Sequence, residues 1–188
     1  MSAVTIRPAT ERDAAAICAI YNQGIEDRIA TLETELRTSE ERRQWLAARG
    51  PRHPVIVAEA EGQPGAAGTP GAAGTPGAAG TPSAAGTVVG WASLNQFNPR
   101  PAYQHVADFS VYVERGWRGK GVGRRLLERL IELARQIGYH KMVLAGFPFN
   151  TSGVALYERV GFRTVGIYRE QGLLDGKWVD TIIMEKLL

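Results

Sequence analysis

Between residues 115 and 125 the chain reads Arg115-Gly-Trp-Arg-Gly-Lys-Gly-Val-Gly-Arg-Arg125. A strand-like run ends just before it at Val113. Just after it, Leu126, Leu127, Leu130, Ile131, Ala134 and Ile137 recur at the spacing of one helix face. This order of strand, glycine-rich turn and amphipathic helix matters more than the composition of the turn. Gly119, Gly121 and Gly123 let backbone N–H groups turn inward, and the unsatisfied N–H groups at the helix start favour an anion such as a pyrophosphate. Arg118, Lys120 and Arg124 add positive charge. The turn lacks the Lys-Ser/Thr ending of a triphosphate-binding loop, and its glycines do not follow the dinucleotide spacing Gly-x-Gly-x-x-Gly. On this segment alone, a solvated flexible turn remains the bland alternative.

Working upstream, Gln104 to Val113 reads as a strand, and Val55–Glu61 with Val88–Leu94 as a hairpin. Val4 to Arg7 is a short strand and Thr10 a candidate N-cap. Ala14, Ile17, Cys18, Ile20 and Tyr21 make a helical stripe ending at Gly24, and a second helix is expected from Ser39 to Arg49, stopped by Gly50-Pro51. Downstream come a strand from Lys141 to Phe147, a short helix from Ser152 to Val160 closed by Gly161, and a strand from Arg163 to Tyr168. An Asp175-Gly176 turn leads into a last strand, Trp178 to Glu185. Interleaved strands and helices predict a mixed α/β sheet in a single domain spanning 1–188.

One segment interrupts that pattern. From Gly62 to Gly86 the unit Gly-Ala-Ala-Gly-Thr-Pro occurs three times. With hardly any large apolar side chain and a proline in every unit, it cannot offset the entropy of ordering or sustain a helix. It reads as an insertion enlarging the hairpin turn, tolerated because loop closure costs only about 0.6 kcal/mol per doubling of length.

Composition excludes several functions. A chain of 188 residues that is 44% hydrophobic can bury a core, while a net charge of +3 is too small for a nucleic-acid footprint. A single cysteine, Cys18, allows neither an internal disulfide nor a thiolate-rich metal site, and His53, His105 and His140 lack metal-ligand spacing. No metal is expected, and Cys18 reads as a small buried hydrophobe. No signal-peptide pattern opens the chain and no apolar run reaches membrane-spanning length, so a cytoplasmic protein with no membrane partner is expected.

Arg118-x-x-Gly121-x-Gly123, set between strand and helix, resembles the acetyl-CoA pyrophosphate loop of the GNAT N-acetyltransferases. Asn150, Tyr157 and Gly161-Phe162 resemble that family's later helix. The stretches Tyr21–Glu35, Arg100-Pro-Ala-Tyr103 and His105–Val113 resemble the phosphinothricin acetyltransferase-like branch, most closely its arsinothricin N-acetyltransferase members. The resemblance covers nearly the whole chain except the repeat. It implies a mostly antiparallel mixed sheet flanked by helices and splayed at the acetyl-CoA site, with acetyl-CoA as co-substrate, a small-molecule amine as acceptor, and a homodimer.

The resemblance also implies roles. Arg118, Gly119, Lys120, Gly121, Val122, Gly123 and Arg124 would cradle the pyrophosphate. Val111, Tyr112 and Val113 would pair with the pantetheine arm and offer a backbone amide to the thioester oxygen, and Asn150 would position the same arm. Asp108 stands where the branch normally has Glu, as general base. Direct transfer to an amine of pKa near 8 needs such a carboxylate, and Asp, about 1.5 Å shorter, makes a bridging water a natural alternative to direct contact. Tyr157 would donate a proton to the leaving thiolate or position its sulfur. Glu26, Arg100, Tyr103 and Asp108 would flank the amine, Arg100 pairing with a substrate oxyanion. Gly153 and Gln104 stand where relatives often carry Ser and a second Arg. The expected activity is acetylation of an amino-acid-like toxin of the phosphinothricin or arsinothricin type. A non-catalytic acyl-CoA sensor and a transferase for another amine, such as methionine sulfone, are the alternatives.

Overall fold

The computed structural model describes residues 3–61 and 86–188. The strands are β1 (Val4–Pro8), β2 (Val55–Ala60), β3 (Thr87–Gln96), β4 (Val106–Val113), β5 (Lys141–Gly146), β6 (Arg163–Leu174) and β7 (Lys177–Leu187). The helices are α1 (Ala14–Glu26), α2 (Ser39–Ala47), α3 (Val122–Ile137) and α4 (Thr151–Arg159). The strands form one sheet in the order β1-β2-β3-β4-β5-β7-β6. Neighbours run antiparallel except β4 and β5, which are parallel and joined through α3. Their register covers only Val106↔Lys141, Ala107↔Met142 and Asp108↔Val143. Beyond Asp108 the two strands part, and each remains paired only with its outer neighbour.

Strand alternation divides the molecule into two cores. Ala107, Phe109, Val111 and Val113 of β4 join a cluster with Leu126, Leu127, Leu130, Ile131 and Ala134 of α3. On the opposite face, Ile17, Ile20, Tyr21 and Ile25 of α1 pack on Val55, Val57 and Trp91. Each large aliphatic side chain so buried contributes about 1.5–3 kcal/mol before the entropy of ordering is set against it. Asp108, Ser110 and Tyr112 alternate onto the α1 face.

Several boundaries differ from the sequence reading, each for a local reason. α1 continues two residues past Gly24. A Cβ at Gly24 would lie 2.9 Å from Cε1 of Tyr112, so this glycine admits an aromatic ring rather than stopping a helix. Thr10 caps a short 3-10 turn, Glu11–Asp13, that leads into α1. α2 ends at Ala47 rather than Arg49, and the Arg49 side chain reaches the His53 carbonyl and Asn95. β6 extends to Leu174, six residues past the expected end, because its mostly exposed edge position leaves no apolar alternation to read. Asp175 and Gly176 turn into β7 with φ of 48° and 76°, the left-handed pair that a tight hairpin demands. Cys18 is buried, and its thiol donates to the Arg37 carbonyl at 3.0 Å. β2 and β3 pair from Val55↔Ser93 to Ala60↔Thr87. The repeat between them falls within 62–85, outside the described residues.

Candidate active site

The parting of β4 from β5 opens a cleft of about 280 Å³. Residues 108–112 of β4 and 144–147 after the start of β5 form its walls, Ile29, Ala30, Thr31 and Leu32 cover one side, and Asn150, Val154 and Tyr157 of α4 close another. β4 beyond Asp108 pairs with β3 alone, so its backbone groups on the β5 side are free to pair with an extended ligand. Arg and Lys are absent from the lining among the described residues.

Asp108 sits at the fork, the last β4 residue paired with β5. Its carboxylate accepts one hydrogen bond, from the Phe109 N–H at 2.6 Å. Burial pushes its pKa up to about 6, with the Phe109 amide working in the opposite direction. At pH 7 such a group is about 90% ionised, and its affinity for a proton is closer to an amine's than that of an ordinary aspartate. Across the cleft Tyr157 packs edge-on against Phe109, ring centroids 5.9 Å apart. Burial, and then the negative charge of Asp108, push its phenol up to about 12, so it keeps its proton throughout the neutral range. The cleft thus brings together a charged acceptor and a protonated donor.

The glycine-rich turn lies at the β4 end of the same fork. Gly119 and Gly121 adopt φ of 74° and 82°, a left-handed backbone that favours glycine, and Gly121 is the N-cap of α3. Arg118 is committed to the protein: its Nε donates to the Val113 carbonyl at 3.1 Å and its Nη1 to Asp27 at 2.6 Å. Arg115 also bonds Asp27, and these contacts, Arg115 first and Arg118 after it, hold the Asp27 carboxyl below its usual range despite partial burial. Lys120 projects over the Trp117 ring at 5.3 Å, and Arg124 pairs with Glu128 at 2.7 Å. Val122 begins α3 and is buried, so only its backbone N–H can face an anion.

Asn150 links two walls of the cleft. As N-cap of α4 it accepts from the Gly153 N–H at 3.0 Å, while its amide donates to the Ile29 carbonyl at 3.1 Å. A Cβ at position 153 would stand 2.9 Å from Asn150 Nδ2, so glycine there keeps the cap undisturbed. Tyr112 turns its ring away from the fork, stacking on Trp91 at 4.9 Å and meeting Tyr21 at 5.0 Å. Burial and the neighbouring tyrosines hold its phenol well above the usual range. Its backbone groups face β3, whereas those of Val111 and Val113, one residue to either side, turn to the open side of β4.

Three residues expected beside the amine are placed elsewhere. Glu26 pairs with Arg115 at 2.7 Å at the exposed end of α1. Arg100 and Tyr103 sit in the turn before β4, Tyr103 packed on Phe97 at 5.6 Å, and neither borders the cleft. Charge alone could not reveal that Arg115, 89 residues away, would take Glu26. Within the Tyr21–Glu35 stretch, the sequence assigns no individual role to Asp27, which orders both arginines, or to residues 29–32, which cover the cleft. Thr181 of β7, whose only signal was strand alternation, borders the cleft too.

Comparison with known proteins agrees with this geometry. The family model described as Acetyltransferase (GNAT) family matches residues 19–162. An L-methionine sulfoximine/L-methionine sulfone acetyltransferase of Pseudomonas aeruginosa is 32% identical over 96% of this chain and 92% of its own length. The crystal structure of a ribosomal-protein-alanine N-acetyltransferase from Brucella melitensis superposes with a TM-score of 0.82 at 36% identity, covering 98% of this chain and 99% of that one. A phosphinothricin acetyltransferase from Sinorhizobium meliloti, solved in complex with acetyl-CoA, gives 0.80 at 26% identity, covering 100% and 89%.

Proposed function

Because the chain belongs to the acetyltransferase (GNAT) family, we propose that it moves the acetyl group of acetyl-CoA onto the free amine of an amino-acid-like toxin or metabolite. Phosphinothricin, arsinothricin and methionine sulfoximine or sulfone are the favoured acceptors, and cytoplasmic detoxification is the consequence. The observation that carries this reading is the fork itself, with Asp108 at the point where β4 leaves β5 and Tyr157 lining the same cleft. The residues present fit acetyl-CoA: the unpaired edge of β4 accepts an extended pantetheine arm, and the α3 N-terminus behind Gly121 presents N–H groups to a pyrophosphate. Arg118 supports that turn through Val113 and Asp27, with Lys120 and Arg124 as the outer charges. The thioester supplies an activated acetyl carbon.

Asp108 takes the proton from the substrate ammonium, directly or through one water, and the freed lone pair forms the new N–C bond. Its partner value for this transfer is the amine's pKa near 8; at about 6 the proton is passed over a gap roughly two units smaller than it would be to an ordinary aspartate. A backbone N–H of the Val111–Val113 edge stabilises the charge that develops on the acetyl oxygen, a contribution of about 3 kcal/mol for one preorganised donor. As the C–S bond breaks, Tyr157, holding its proton at neutral pH, donates to the departing sulfur, and the second proton that the acylated nitrogen sheds restores the phenol. Asn150 keeps α4, and Tyr157 with it, registered against residue 29.

The test is free-thiol release from acetyl-CoA against a no-amine blank, titrating phosphinothricin, arsinothricin, methionine sulfone and glutamate. Saturable release with one of the first three is expected; flat traces with all of them overturn the substrate class. A second reading, acetylation of a peptide's terminal α-amine, draws on the likeness to the Brucella melitensis enzyme and is tested by an alanyl peptide in the same panel. A sensor without turnover is disfavoured, since relatives matching along the whole chain are named as acetyltransferases. We also infer a homodimer, supported by Ile167, Tyr168, Leu173 and Trp178, large apolar side chains left exposed on β6 and β7. Light scattering on the purified chain tests it, a monomeric mass being the contrary result.

A further inference from the structure

We propose that Thr181 is a substrate-positioning residue, its hydroxyl hydrogen-bonding to an oxygen of the amine substrate. The inference rests on the acetyltransferase reading and deepens it. Thr181 lies on β7, borders the cleft and is only 5% exposed, yet its hydroxyl has no hydrogen-bond partner among the described residues. A buried hydroxyl without a partner costs the fold, so such groups mark places where something else completes the bonding. Of the other polar side chains of the cleft, Tyr157 is assigned to the leaving sulfur, and the rest each hold a partner. Ser110 accepts from Asn95 at 3.1 Å, Thr31 accepts from the Glu33 N–H at 3.1 Å, and Asn150 is spent on Gly153 and Ile29. Asp108 carries a negative charge and repels an oxyanion. Among the described residues lining the cleft, Thr181 is therefore the one whose buried polar side-chain atom has no partner at all, in a cleft whose lining holds no cation.

Its direction suits that role. Ile182 and Met184 of β7 belong to the α3 core, so Thr181 alternates onto the face that also carries Asp108. Asp108 on one side of the fork and Thr181 on the other bracket a molecule bearing both an ammonium and an oxygen acceptor, the chemistry of an amino acid or its phosphinate and sulfone analogues. Rotation about χ1 exchanges the hydroxyl with the methyl of similar size, letting the donor follow the ligand without moving the strand.

Thr181→Val keeps the shape and removes the hydroxyl, while Thr181→Ser keeps the hydroxyl. With whichever amine of the panel the wild type acetylates, the Val variant should raise the amine KM about tenfold or more with kcat within a few-fold and the acetyl-CoA KM unchanged. Ser should stay near the wild type, and the melting temperature of the Val variant should not fall, because a partnerless buried hydroxyl has been removed. An amine KM for Val equal to that of the wild type overturns the inference while leaving the acetyltransferase reading standing, as does a Ser variant impaired as badly as Val. A wild type that acetylates no amine, peptide included, overturns both.

Discussion

Replacing Asp108 with Asn should make the protein more stable and nearly inactive at once, and the size of the first effect follows from burial. The carboxyl titrates at about 6 in the folded chain instead of its ordinary 3.8. A shift of roughly two pKa units at about 1.4 kcal/mol each means that the charged form costs the fold about 3 kcal/mol at most. The folded pKa lies above the unfolded one, so this penalty is absent below about pH 4, grows between about 4 and 6, and is fully present above. Partial exposure screens the charge, and the Asn amide brings donors needing partners, which together leave a net gain of about 1–2 kcal/mol at pH 7. For a chain of 188 residues that is a rise in Tm of roughly 2–8 °C. Thermal melts of both proteins from pH 4 to 8 should converge at the acid end and separate above 6. Thiol release by the variant at pH 7 should fall about 10²–10⁴-fold, the usual range for a lost general base. A variant no more stable than the wild type at pH 7, or a stability difference that does not change with pH, would refute the reasoning about burial.

Other consequences are measurable with the same preparations. In the wild type, kcat/KM for the amine should drop about tenfold per unit below pH 6, where Asp108 takes up a proton, and a profile flat to pH 5 would remove it as the base. Tyr157→Phe should lower kcat about tenfold, less than the Asp108 change, because a thiolate is already a fair leaving group; stopped-flow turnover reads the difference. Gly121→Ala forces a side chain into φ of 82° at the α3 N-cap and should raise the acetyl-CoA KM at least several-fold while the amine KM holds, as steady-state kinetics in each substrate will show. Asn150→Ala deletes the α4 cap and its link to Ile29, and calorimetry should record a loss of about 1–2 kcal/mol.

Where sequence and structure agree, a periodic signal was present. The α3 stripe, the glycines before it and the Asp-Gly turn each follow from local rules, and together they prescribe a mixed sheet with a left-handed glycine turn after its fourth strand. The sheet and its family likeness were legible from those segments. Individual side chains of the site were less so, because their surroundings are assembled from distant parts of the chain. Glu26 looked available for an ammonium, but Arg115 claims it. Tyr112 looked like part of the cofactor edge, yet its ring belongs to the aromatic core around Trp91. Gly24 read as a helix stop, while its small size serves that same ring. Thr181 carried nothing beyond the alternation of its strand, and a threonine in a strand is unremarked until the parting of β4 and β5 makes its face a cleft wall.

In the proposed reaction acetyl leaves sulfur and arrives on an amine with Asp108 taking the proton. Its most direct test measures both products together: free thiol, and acetylated amine by mass spectrometry, from saturating acetyl-CoA and the best amine of the panel. Equal amounts of the two are expected with the wild type, and neither above the blank with Asp108→Ala, whose acetyl-CoA affinity measured by calorimetry stays unchanged. Thiol release without acetylated amine, or full turnover by the Asp108→Ala variant, would contradict it.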